Sequence, residues 1–364
     1  MKVQDVLNCI EEMSPLTYAE DFDNVGLLVG DPEHEVTGIL VTLDTIEPVI
    51  EEAIQKNCNV VVSFHPIIFS GLKKLTGKNY VERVVIRAIR HEVAIISMHT
   101  ALDNDIHGVN DMICQKLKLT DTRILLPKKD TIFKLFVNVP TEKAKSLSVA
   151  LTKVGAGNIG NYKDCSFSTE GTGTFTPVLG ANPVVGNLYQ PETVRETQLQ
   201  FAVPKHCKNQ VLSEMFKNHP YEEIAYDLIS LQNSNQQIGI GKIGKLPTPI
   251  AALEFLQQLK ETFNAKGIRH TQLLDQPVQT VAVLGGSGSF AIQNAIRQKA
   301  DIFITADLKY HQFYEAEGKI VLVDIGHYES EQFTKNLIVG YLQKKISNFA
   351  IILSEINTNP IQYL

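Results

Sequence analysis

Hydrophobic positions recur along this chain in two alternating rhythms. Val3, Val6, Leu7 and Ile10 fall on one face at helical spacing, and the nearly unbroken apolar run at 38–44 reads as a buried strand. An amphipathic stretch at 48–56 leads to a second strand at 60–63, and a helix at 81–90 leads to a third at 94–98. Strands alternating with helices predict a largely parallel sheet. The rhythm returns later as a helix at 249–263 and strands at 281–284, 301–305 and 320–324. The two stretches correspond strand for strand. The strand leading to Asp44 matches that leading to Gly285, the one leading to His65 that leading to Asp307, and the one leading to His99 that leading to His327. The pattern predicts two similar α/β lobes packed about a pseudo-twofold site.

Between these stretches the pattern changes. A strand at 135–140 precedes a helix at 141–154, which Thr141 is placed to cap. Glycine-rich turns at 155–186 follow, then an alternating strand at 197–203, helical spacing at 207–218 and a last strand within 223–231. This β-α-β-β-α-β order predicts a ferredoxin-like α+β domain. The fold class is therefore α/β: two similar lobes form one discontinuous domain, 1–125 and 238–364, with the ferredoxin-like domain inserted at 126–237. Polar residues 233–237 are expected to be a linker, with Gly239, Gly241 and Gly244 marking the return.

Composition narrows the functional classes. A net charge of −6 without a Lys/Arg-rich run argues against nucleic-acid binding. Acidic residues Glu11, Glu12, Glu20, Asp21 and Asp23 argue against a signal peptide, and no apolar run is long enough to span a bilayer. Cys9, Cys58, Cys114, Cys165 and Cys207 are scattered and never paired as C-x-x-C, which predicts reduced thiols in a cytoplasmic protein. Any metal here must rely on nitrogen and oxygen donors.

Such donors occur where the predicted strands end. His65, Asp103, His327 and Glu331 all follow apolar strand runs, two from each stretch, and ligands in open α/β sheets gather outside the carboxyl ends of strands. His327 and Glu331 lie four apart, so a helix puts them on one face. Together the four predict a site for a divalent cation. His99, Asp307, Lys309 and His311 stand near the same strand ends, placed to orient ligands, bind an anionic substrate or move protons. Capping of the next helix is an equal alternative for Asp307. Gly285-Gly286-Ser287-Gly288-Ser289 matches no phosphate-loop fingerprint and reads as a tight strand–helix turn with weak anion binding at most. His219-Pro220-Tyr221-Glu222-Glu223 offers a second metal site, although a turn with solvated carboxylates explains it better.

Several motifs together resemble the NIF-three-like family, whose members are often labelled GTP cyclohydrolase I type 2 homologues. They are Asp23-Asn24-Val25-Gly26-Leu27, Ser63-Phe64-His65-Pro66, His99-Thr100-Ala101-Leu102-Asp103 with Gly108-Val109-Asn110, Asp307-Leu308-Lys309-Tyr310-His311, and Gly326-His327-Tyr328-Glu329-Ser330-Glu331. Gly155-Ala156-Gly157 and the His219 cluster look like the PII/CutA-type insert of the longer bacterial members. The resemblance implies a two-lobed fold around a dinuclear metal centre, a toroidal homohexamer, and His65, Asp103, His327 and Glu331 as ligands. One position departs: the family usually has two successive histidines before the proline, and here Phe64 precedes His65. A phenyl ring donates nothing to a metal, so one or two cations per subunit are expected, zinc, iron or manganese alike. Two functions follow. One is a metal-dependent hydrolase of a small nucleotide or phosphorylated substrate, with His99, Asp307 and His311 supporting proton transfer. The other is a non-catalytic metal-binding or regulatory protein whose insert senses a small-molecule effector.

Overall fold

Ile39–Thr42, Val60–Ser63 and Ala94–Ser97 are buried at every position. Strands with no solvent face belong inside a sheet covered on both sides, and these three pair in parallel, with Val41 beside Val62 and Val62 beside Ile96. Gly26–Val29 closes one edge antiparallel to Ala94–Ser97, and Ile351–Leu353 closes the other parallel to Ile39–Thr42. The two-residue period divides the side chains between faces. Ile39, Val41, Val60, Val62 and Ile96 meet Val3, Val6 and Ile10 of the helix Val3–Met13, whereas Leu40, Val61 and Ile95 meet the helices Glu47–Gln55 and Tyr80–Arg90.

The computed structural model describes residues 1–364 and divides into two units, Met1–Pro127 with Gln236–Leu364, and Lys128–Asn235. The first unit holds a second sheet. Its order is Arg269–His270, Val321–Asp324, Ile302–Ala306, Val278–Ser287, Asn235–Ile250, Thr120–Lys128, and the strands Val278–Ser287, Ile302–Ala306 and Val321–Asp324 run parallel. Val281, Val283, Ile302, Ile304, Val321 and Val323 join the same apolar core as Val41, Val62 and Ile96. One face of each sheet therefore shares a single core.

Residues 233–237 are not simply a linker, because the strand Asn235–Ile250 starts among them. Its glycines serve close packing: a Cβ on Gly239 would lie 2.3 Å from the Leu126 carbonyl oxygen, and one on Gly244 2.9 Å from that of Thr120. Chain exit and re-entry thus run side by side within this sheet.

Lys128–Asn235 builds its own four-stranded sheet in the order Ser166–Phe175, Glu192–Pro204, Ile132–Pro140, Tyr226–Ser230, with every neighbour antiparallel. Leu135, Val137, Val139, Leu199, Phe201 and Val203 bury one face against Leu147, Leu151, Val211 and Met215 of the helices Ala144–Lys153 and Lys208–Asn218. Thr141 caps neither helix. It lies in a short 3-10 turn, Thr141–Lys143, and its hydroxyl meets that of Thr197 at 3.1 Å.

Candidate metal centre

Strands from both sheets deliver the site's side chains. Val60–Ser63 leads to His65, Ala94–Ser97 leads to the short helix His99–Asp103, and Val321–Asp324 leads to the helix His327–Glu331. Glu331 follows His327 by one helical turn, so both side chains project the same way. His65, His327 and Glu331 each bring a donor atom within 4.8 Å of the others.

The spacing of these atoms is specific. Glu331 Oε2 lies 3.1 Å from His65 Nε2 and 3.1 Å from His327 Nε2. It is sealed from solvent, yet neither contact is aligned as a hydrogen bond. Donors held about 2.0–2.1 Å from one cation stand roughly 3.0–3.4 Å apart, so the three atoms converge on a shared point rather than on each other. Asp103 Oδ1 is likewise buried without a hydrogen-bond partner. Buried carboxylate oxygens are costly when unsatisfied, and the mixed imidazole–carboxylate set fits a divalent cation.

Each imidazole is oriented from behind. His65 Nδ1 donates to Asp44 Oδ1, His327 Nδ1 to Asp307 Oδ2 and His99 Nδ1 to Asp23 Oδ1, all at 2.7 Å. This fixes the tautomer and aims each Nε2 forward. The carboxylates are held in turn: Thr358 donates to Asp44, Ser287 to Asp307, and the Thr100 amide and hydroxyl to Asp23. Asp307 therefore orients His327 and does not cap a helix. Both Asp307 (φ 57°) and His99 (φ 30°) adopt left-handed backbone, a strain that sites retain when geometry demands it.

Electrostatics points the same way. Burial opposes charge on His65 and His327, but Glu331 with Asp44 and Asp307 outweighs it and pushes their pKa values up to about 10 and about 11. Burial also disfavours charge on Glu331, yet the two imidazoles hold it well below the usual carboxylate range. Asp103 is pushed well above its usual value by burial and then by Glu331.

A model of the Duf34/NIF3 (NGG1p interacting factor 3) family matches residues 1–360. The chain belongs to this family. It is 36% identical to a Bacillus subtilis (strain 168) protein named GTP cyclohydrolase 1 type 2 homolog, over 99% of this chain and 98% of that one. A homologue of the same name from Staphylococcus aureus (strain N315) is 32% identical over the full length of both. The crystal structure of a Bacillus cereus protein related to NIF3 superposes with a TM-score of 0.85 at 34% identity, covering 100% of this chain and 99% of that one.

In this family member Phe64 is fully buried and continues the core row of Val60 and Val62. Its ring centroid lies 4.9 Å from that of His65 and 5.7 Å from that of His99, so the position supplies packing instead of a donor. The His99 ring stands 5.3 Å from that of His65. His311 is exposed, its ring in contact with those of Tyr310 and Tyr314. In the unit Lys128–Asn235, His219 Nε2 donates to the Asn138 carbonyl and Nδ1 accepts the Tyr221 amide. With both ring nitrogens committed, that histidine is no metal ligand.

The glycine segment also has a definite role. The Gly285 amide donates to Asn110 Oδ1 and the Gly286 amide to Ser330 Oγ, which leaves neither for a phosphate. Here the strand Val278–Ser287 bulges, and a Cβ on Gly286 would sit 2.4 Å from Glu331 Oε1. Sequence patterns do not reveal this cradle, nor the roles of Asp23 and Asp44. A cavity of about 430 Å3 adjoins the cluster, lined by His65, His327, Asp44, Asp307, Arg269 and Tyr363 among others.

Proposed function

We propose that this chain binds a divalent cation through His65, His327 and Glu331, with Asp103 beside them, and is a metal-dependent hydrolase of a small nucleotide or phosphorylated substrate. The observation that carries the reading is the solvent-sealed Glu331 oxygen equidistant from two imidazole nitrogens, each braced by a carboxylate. A bound cation, whether zinc, iron or manganese, would supply Lewis acidity and hydroxide at neutral pH. The chain's own residues do the rest. Asp44 and Asp307 hold the imidazoles in the tautomer that presents Nε2. His99, braced by Asp23, is the group placed to hold or move a proton. Arg269, ion-paired to Asp324 on the cavity wall, offers a guanidinium to an anionic substrate group.

In the same reading, the two sheets of the first unit are similar lobes of one discontinuous domain and Lys128–Asn235 is a ferredoxin-like insert. Its four strands stand in the order second, third, first, fourth. Family membership supports self-association as a toroidal homohexamer. Five free cysteines support a reducing cytoplasm, and no helix is long and apolar enough to cross a membrane. The test is elemental analysis of protein purified without added metal, followed by a screen of phosphate esters and nucleotides with stripped and reloaded protein. Metal retention lost in Glu331→Gln, with hydrolysis that needs reloading, is the expected result. A protein that neither retains metal nor gains activity on reloading refutes it. The alternative, a non-catalytic metal-binding regulator, draws support from a pocket in the insert.

A further inference from the structure

Lys128–Asn235 encloses a pocket of about 440 Å3, within the range that holds small molecules. Phe175 and Tyr221 form its aromatic part, with ring centroids 6.2 Å apart, and Val184 and Val185 add apolar wall. The titratable groups lining it are Glu196, Glu222, Glu223 and Tyr221; no Lys, Arg or His faces it. Glu222 accepts the Asn182 amide, whereas Glu196 has no cationic partner in the lining.

Two features single out the Glu196 side. The Tyr221 hydroxyl is sealed from solvent without a well-aligned hydrogen-bond partner, and the Glu196 carboxylate beside it, after burial, draws on its proton and helps push the phenol up to about 12. Tyr221 is held there because its amide donates to His219, which is itself anchored on Asn138. Across the sheet, a Cβ on Gly173 would lie 2.3 Å from Glu196 Oε2, so the bare glycine makes the space this carboxylate occupies. A buried phenol oxygen that receives no hydrogen bond is costly.

We infer that this pocket binds a small organic cation: an amine, amidine or guanidine carried on an apolar or aromatic body. Its N–H groups donate to the Tyr221 hydroxyl oxygen and to the Glu196 carboxylate, its charge lies against the aromatic rings, and three glutamates repel anions. The site lies wholly within the insert and is independent of the metal reading.

The test uses the full-length protein and benzamidinium as probe, with neutral benzamide and anionic benzoate as near-isosteres, titrated by NMR to about 10 mM, the weak limit for so small a ligand. Benzamidinium should saturate the insert's resonances, with benzamide and benzoate at least about tenfold weaker. Glu196→Gln, isosteric and uncharged, should weaken binding about tenfold or more without lowering the Tm. Gly173→Ala keeps every charge but displaces the Glu196 carboxylate, and should do the same. Equal binding of benzamide, unchanged binding in folded Glu196→Gln or Gly173→Ala protein, or no saturable binding of benzamidinium overturns the inference.

Discussion

Gly286→Ala tests the metal centre without touching a proposed ligand. The added Cβ would lie 2.4 Å from Glu331 Oε1, and ordinary contact begins at 3.4 Å, so the carboxylate must retreat by about 1 Å. Metal sites tolerate ligand displacements of only about 0.2 Å, so the donor is lost or badly misplaced. Metal affinity should fall by at least about 100-fold, or about 2.7 kcal/mol. Backbone strain enters as well, because Gly286 has φ 67° and an L-residue there costs about 1–2 kcal/mol. Gly318 supplies the control: its φ is also 67° and a Cβ would meet nothing within 4 Å. Gly318→Ala carries the strain alone. Competition titration of zinc or manganese against a chromophoric chelator, with thermal unfolding in EDTA, separates the two effects. Both variants should be destabilised in EDTA, and only Gly286→Ala should lose metal. Should Gly286→Ala bind within about threefold of Gly318→Ala, Glu331 is not a ligand aimed by this cradle.

Phe64→His should raise the metal content above that of the natural chain, which is expected to hold one ion tightly; elemental analysis showing two tightly held ions in the unmodified protein would contradict this. Asp44→Asn and Asp307→Asn should each weaken metal binding by about 10–100-fold through a misoriented imidazole, while exposed His311→Ala leaves it unchanged; calorimetry giving the reverse order would sink the assignment of these roles. Burial lowers the pKa of His219 from its ordinary value of 6.5. The unfolded chain then takes up a proton that the fold resists, so the contribution of His219 to insert stability is complete above about pH 6.5 and lost as pH falls below it toward the folded value. His219→Gln should flatten the dependence of Tm on pH over that window, apart from the share due to His206, which burial lowers in the same direction. An unchanged slope would assign the whole effect to other groups.

The strands that carry the site were legible because fully buried strands are unbroken apolar runs. Val60–Ser63, Ala94–Ser97 and Val321–Asp324 announce themselves, and the donors follow directly. Asp23 and His99 are 76 residues apart and Asp44 and His65 21 apart, and no local period encodes such pairs. Asp307 was ambiguous because a strand-end aspartate serves equally as a cap or as a partner, and only the position of His327 decides. Ser166–Phe175 hides among turn signals because its side chains are mostly exposed Ser, Thr and Gly, with no apolar alternation to report a buried face. Glycines in Asn235–Ile250 look like loop residues, although they mark where another strand presses close.

Ile351–Leu353, which closes the first sheet beside Ile39–Thr42, imposes an order on biogenesis. At roughly 5–20 residues per second, a ribosome delivers Leu353 roughly 15–60 s after Thr42. Throughout that interval Ile39–Thr42, apolar on both faces, presents a bare edge of the kind that recruits other strands, so nascent chains need shielding there. Thr358, which braces Asp44 and through it His65, arrives later still. On the proposed function, cation capture is consequently among the last steps of maturation, and a nascent chain that meets metal early would hold it only through an unbraced half-site.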